Sequence, residues 1–256
     1  MAAVTLIRNR PVTSFLILAF AISYAAGIPF NFATSGLFPP TSIWALYVPR
    51  LVTVFGPAIA ALVVTRSRVD LVRSLLIPLR YWPWVAMSVI AGIATAIAAF
   101  RLAGAPGPKP SLLLGAHFVF QIVTAGIGEE LGWRGWMLPT LARERTFASA
   151  TALTGLAWIV WHAPVFMSSL TVALSFLALL AALSVVFAWL WIRTNGNTGV
   201  VAIAHAAVNA PFVFLESSAR GRAGEALGYL AAFYVCLAVV PLIKARRPYP
   251  PGVAHP

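Results

Sequence analysis

Two adjacent carboxylates, Glu129 and Glu130, close an apolar run in a chain that has only six acidic residues, and Arg134 follows four positions later. Two further apolar runs carry one histidine each, His162 and His205, and Asn209 lies four residues after His205. Ionisable side chains inside hydrocarbon cost several kcal/mol unless they pair or face a wet cavity, so they point to function by default. Three helices supplying Glu/Glu/Arg, His and His/Asn suit a buried hydrolytic centre. A carboxylate or imidazole would move the proton of a water, and amide or imidazole N–H groups would hold a developing oxyanion.

The spacing assigns separate work to the two acids. Adjacent helical residues point about 100° apart, so Glu129 and Glu130 address different neighbours. Glu130 and Arg134 stand four apart with the acid first, the favourable order for a helical ion pair, and read as a structural clamp. Glu129 is left without a local partner and is the candidate general base. Gly128 and Gly132 make a small-xxx-small step that admits another helix beside the acids. Trp133 and Trp136 suit an interfacial aromatic belt, which would place the acids just below the headgroups. Trp158 precedes His162 by one turn and could wall off its ring, while Pro164 is expected to kink that helix. His205 and Asn209 share one helical face among small residues and could offer two donors to an oxyanion. His117 reads as interfacial or packed, and Arg50 as snorkelling outwards or pairing with a glutamate.

These residues sit in a chain that is 61% hydrophobic and 9% charged, with a mean hydropathy of +0.89. Soluble domains run near a quarter charged, so the composition is that of an integral membrane protein. The net charge of +12 comes from basic residues scattered between apolar runs. They read as topology determinants and lipid-headgroup contacts, not as a nucleic-acid surface. About eight runs are long enough to cross a bilayer. They lie near 12–30, 43–65, 82–102, 111–131, 148–167, 171–192, 198–215 and 226–243. With the first loop inside, Arg8, Arg10, Arg66, Arg68, Arg73, Arg80, Arg143, Arg145, Arg193, Lys244, Arg246 and Arg247 fall on one side, and Arg101, Lys109, Arg220 and Arg222 on the other. Twelve against four places both termini in the cytoplasm. The fold class is therefore all-α, a polytopic bundle of about eight transmembrane helices in the plasma or inner membrane.

Residues 1–247 read as one domain and 248–256 as a Pro-rich disordered tail. The segment 68–80 alternates apolar and basic residues and suits either a surface helix or a solvated linker. Cys236, the single cysteine, reads as a packed thiol and excludes a disulfide framework.

Taken in order, Glu129-Glu130-x-x-x-Arg134, then Trp158-x-x-x-His162, then His205-x-x-x-Asn209 resembles the CPBP family, the CAAX proteases and bacteriocin-processing proteins also called Abi. Trp158 departs from the Phe usual in that family. The resemblance implies an intramembrane endopeptidase acting on a membrane-associated peptide or protein, with its site in a cavity open to the cytoplasm. Glu129 would activate water with His162 assisting, His205 and Asn209 would stabilise the oxyanion, and Glu130 with Arg134 would hold the geometry.

Two mechanisms fit such a set. In one, Glu129, His162 and His205 ligate Zn²⁺ with water in the fourth position. In the other, Glu129 is a metal-free base, and the absence of an HExxH helix favours this cofactor-independent route. The alternative functions are a non-catalytic bacteriocin-immunity or scaffold protein, and a proton-coupled carrier using the same groups as a relay.

Overall fold

Small residues and well-placed caps decide how this apolar chain arranges itself. The computed structural model describes residues 10–39, 42–106, 111–212 and 222–244; all of its regular elements are helical. Lipid offers a backbone N–H no partner, so helix starts must be satisfied from within. Ser42, Ser67, Ser111, Thr146, Ser169 and Asn197 each do this by accepting a hydrogen bond from an N–H in the following turn.

The helices in chain order are α1 (Pro11–Thr34), α2 (Ile43–Val64), the short α3 (Arg68–Arg73), α4 (Leu79–Leu102), α5 (Leu112–Ala142), α6 (Phe147–Trp161), α7 (Leu170–Arg193), α8 (Thr198–Asn209) and α9 (Ala223–Lys244). Each of the eight apolar runs contains one of these helices. Six are long and apolar enough to cross a membrane, whereas α6 and α8 are apolar but shorter. One core cluster draws buried side chains from all nine, from Phe15 in α1 to Ala238 in α9. The tail 248–256 lies outside the described residues.

Three helix boundaries differ from the sequence reading, each for a local reason. The fourth run does not stop near 131: α5 continues to Ala142. Its polar residues are paired inside the bundle and do not mark an exit. Trp133 and Trp136 are accordingly buried, 0% and 5% exposed, and are core residues instead of an interfacial belt. The acids thus lie roughly 20 Å from the end of α5 at 1.5 Å per residue, a depth comparable to that of His162 at the far end of α6. Pro164 does not kink α6; the helix ends at Trp161 and a 3₁₀ turn, Ala163–Met167, follows. Pro211 likewise lies in a 3₁₀ turn, Ala210–Phe212, just beyond α8.

The segment after α2 forms α3, capped by Ser67 and pinned by a fully buried Leu71, while Val69, Val72 and Leu76 stay exposed beside its arginines. This is the amphipathic surface helix of the two readings. Cys236 is exposed on α9, so the packed-thiol expectation is corrected.

Candidate active site

The site is built on α5, whose winding is irregular where it matters. Ile122–Glu129 and Trp133–Met137 are π-helical, on either side of a short α-helical stretch, Glu130–Gly132. Widened turns of this kind recur at functional sites, because they redirect side chains that a regular helix would space evenly. Glycine sets the distances to the neighbours. A Cβ on Gly126 would stand 2.6 Å from the Ala202 carbonyl oxygen of α8. A Cβ on Gly132 would stand 2.6 Å from the Pro57 backbone of α2, and Gly128 faces Val54 in the same way. The small-xxx-small step therefore packs on α2, and Gly126 brings in α8.

Glu130 is 0% exposed and Arg134 1%. The Arg134 Nη1 donates to both Glu130 oxygens, at 2.9 Å and 3.0 Å, as the helical spacing predicts. The guanidinium also lies over two rings, 4.3 Å from the centre of Trp158 and 5.2 Å from that of Phe187. An arginine with no water around it is held here by charge pairing and by aromatic faces.

Glu129 turns to a different neighbour. Its Oε2 accepts a 2.7 Å hydrogen bond from the Trp158 indole Nε1. The expectation that Glu129 lacks a partner held only for its own helix; α6 supplies one. The bond engages Oε2, and Glu129 itself is buried, 4% exposed.

His162 is the residue that ends α6, where the chain leaves helical geometry at φ −90° and ψ 13°. Its Nδ1 lies 2.9 Å from the Trp158 carbonyl oxygen. A carbonyl only accepts, so Nδ1 carries the proton and the neutral ring keeps its lone pair on Nε2. His205 is 3% exposed in α8, with Nδ1 2.7 Å from Glu130 Oε1. The same logic makes Nδ1 the donor and leaves Nε2 to face the site. Glu130 thus serves α8 as well as Arg134, a second task that the sequence reading missed.

The indole of Trp158 is the centre of the arrangement. It is fully buried and bonds Glu129, and its ring centre lies 5.4 Å from that of His162 and 5.5 Å from that of His205. Beside it opens a cavity of about 360 Å³ lined by Trp158, His162, His205 and Asn209. Apolar walls come from α7, including Phe176 and Leu183, and polar groups from Tyr47 and Gln121. Arg50 stands exposed at the rim with its Nη1 on the Leu46 carbonyl, and among the described residues no glutamate pairs with it. His117 is packed, its Nδ1 3.1 Å from the Tyr47 hydroxyl.

A second network fixes the position of α6. Trp161 Nε1 donates to the Ser23 hydroxyl of α1 at 2.9 Å, Ser23 donates to the Thr53 carbonyl of α2 at 2.7 Å, and the Tyr24 hydroxyl donates to the Trp161 carbonyl. The sequence reading missed these residues. Ser and Tyr at positions 23 and 24 interrupt an apolar run, which is the signal that could have revealed them.

The residues present do not gather round a metal. Among the described residues no group of three His, Cys, Asp or Glu side chains could hold one.

Comparison with known proteins follows the same residues. Positions 110–211, which contain all three motifs, match the family model described as type II CAAX prenyl endopeptidase Rce1-like. A protein of Methanococcus maripaludis described as CAAX prenyl protease 2 is 24% identical over 102 residues, covering 36% of this chain and 38% of that relative. These matches agree with the resemblance to CPBP and CAAX proteases read from the motifs.

Proposed function

From that kinship to CAAX-type proteases, we propose that this multi-pass membrane protein is an intramembrane endopeptidase that hydrolyses a peptide bond in a membrane-associated peptide or protein. The observation that carries the reading is the convergence on Trp158 of one carboxylate and two imidazoles, the indole and both imidazoles lining a cavity of about 360 Å³.

Glu129 takes a proton from water as it attacks the scissile carbonyl carbon. The indole on Oε2 holds the carboxylate still, so Oε1 is the oxygen that receives the proton. His162 assists through Nε2, its other nitrogen being fixed on the Trp158 carbonyl. Water adds to the carbonyl, and the carbonyl oxygen becomes the oxyanion. The Asn209 side-chain amide donates to it directly. His205 donates from Nε2 when that nitrogen carries a proton, the ring being held by the Glu130 carboxylate on Nδ1. Collapse of the tetrahedral intermediate breaks the C–N bond, and the proton held by Glu129 or His162 passes to the leaving amine. Glu130 and Arg134 touch no reacting atom and act as positioning residues.

The direct test is cleavage by the purified protein in lipid. The Glu129→Gln variant should fold and express like the wild type and cleave about 10²–10⁴-fold more slowly. Full turnover by that variant would remove the proposed base.

A further inference from the structure

The basic residues and the cavity lie at opposite ends of the bundle. Arg66 and Arg68 follow α2, Arg73 and Arg80 precede the body of α4, Arg143 and Arg145 form the turn between α5 and α6, and Arg193 ends α7. These seven cationic side chains are exposed, and the acids among them are Asp70 and Glu144. Contacts show that they share one end: a Cβ on Gly135, near the close of α5, would stand 3.2 Å from both Leu71 of α3 and Thr198 of α8. Thr198 N donates to the Ser74 carbonyl at 2.9 Å, and Asn197 Nδ2 donates to the Leu76 carbonyl at 2.6 Å, clipping the α7–α8 turn onto the segment between α3 and α4. The other end is clipped by Arg222, whose Nη1 bonds the Ala103 carbonyl at 2.9 Å, joining the close of α4 to the start of α9. The described cations at this end are Arg50, Arg101 and Arg222, with Glu225 nearby.

The cavity belongs to this second end. Its α2 residues, Tyr47 and Arg50, lie in the first half of a helix that finishes at the arginine-rich end. Phe176 lies in the first half of α7, and His162 and Asn209 stand at the terminus of α6 and of α8 that points away from the arginines. On the arginine-rich side the site is sealed by Glu130, Trp133, Leu138 and Val201, all 0% exposed, and by Arg134. The groups at the rim, Arg50, His162 and Asn209, are exposed or half-buried.

Cytoplasmic loops carry the excess of Lys and Arg in membrane proteins. We infer that the cavity opens on the non-cytoplasmic face, so that its substrate is a peptide segment presented from the outer side of the membrane. The family resemblance carries the opposite expectation, a mouth on the cytoplasmic face. Both it and the cytoplasmic termini cannot hold for a site placed at the arginine-poor end. The orientation stands on charge and geometry alone, whereas the substrate clause rests on the peptidase reading.

The test uses the full chain with Cys236→Ala and one new cysteine. Met167→Cys lies in the turn after His162, where the native side chain is 89% exposed, and Leu76→Cys lies at the arginine-rich end, where it is 70% exposed. A membrane-impermeant maleimide is applied to right-side-out and to inverted vesicles, with labelling in detergent as the reactivity reference. Met167→Cys should label in right-side-out vesicles and Leu76→Cys in inverted ones. The reverse pattern, or both positions labelling from one side, overturns the orientation.

Membrane peptidomics of wild type against Glu129→Gln then reads the substrate. Fragments lost in the variant should map to segments outside the cytoplasm, and fragments from cytoplasmic segments overturn the substrate clause. Identical peptidomes sink the peptidase reading and with it the substrate clause, while the labelling pattern decides the orientation on its own.

Discussion

Glu130 and His205 lie 75 positions apart in the chain and share a 2.7 Å hydrogen bond inside the bundle. The same carboxylate holds Arg134, so one acid ties the motif on α5 to the motif on α8. Replacing it leaves a buried guanidinium without its counter-charge, a change that typically costs about 3–5 kcal/mol. The Glu130→Gln variant should therefore lose thermal stability in detergent by that order and lose activity with it. A melting temperature equal to that of the wild type would show that the clamp is dispensable.

Glu129 should behave in the opposite way. It carries one indole hydrogen bond and, among the described residues, no ion pair, so Glu129→Gln keeps the packing and still accepts from Trp158 through its amide oxygen. Turnover should fall by about 10²–10⁴-fold, the usual worth of a positioned base, while the melting temperature stays near that of the wild type. The pair of variants, read by unfolding and by peptide cleavage, separates base from clamp.

Trp158→Phe keeps an aromatic ring against both histidines and deletes the Nε1–H that holds Glu129. A hydrogen bond to a charged group is worth about 1.5–3 kcal/mol, so kcat should fall tenfold or more, with KM less affected. Unchanged kcat would reduce the indole to a packing role.

Gly132→Ala tests the contact that lets α5 sit against α2. The added Cβ would stand 2.6 Å from Pro57 backbone atoms, which cannot move aside as a side-chain tip would. Overpacking of this kind costs about 1–3 kcal/mol, read as a lower melting temperature. Gly115→Ala, on the same helix with nothing within 4 Å of the new Cβ, is the matched control and should unfold like the wild type.

Chelation addresses the metal question by chemistry. On the metal-independent route, prolonged dialysis against a strong chelator leaves peptide cleavage unchanged. Inhibition that zinc restores, with one zinc per purified chain, would assign Glu129, His162 and His205 to a metal and displace the general-base mechanism.

Much of the site was legible because polar residues are scarce in this chain and therefore informative. Glu129, Glu130, Arg134, His162, His205 and Asn209 could be singled out by type and spacing alone, and the Glu130–Arg134 pair follows from helical geometry. What the sequence hides is pairing between helices. The bonds of Trp158 to Glu129 and of Glu130 to His205 join residues 29 and 75 positions apart, and no local rule selects them. The extent of α5 was misread for a related reason. Glu129 to Arg134 looks like the polar end of a span until its charges are seen to be matched internally, which lets the helix run on to Ala142. The π-helical turns that aim the two acids apart leave no mark in residue type.

The two shortest apolar helices are the two that carry His162 and His205 with Asn209. At 15 and 12 residues they reach about 22 and 18 Å, less than the roughly 30 Å of hydrocarbon. Where they stop, solvent can descend part of the way into the bilayer, and beneath that level tightly fitted tryptophans close the bundle. A site carried by these two helices can thus be reached by water from one side while the packed side of the bundle stays closed.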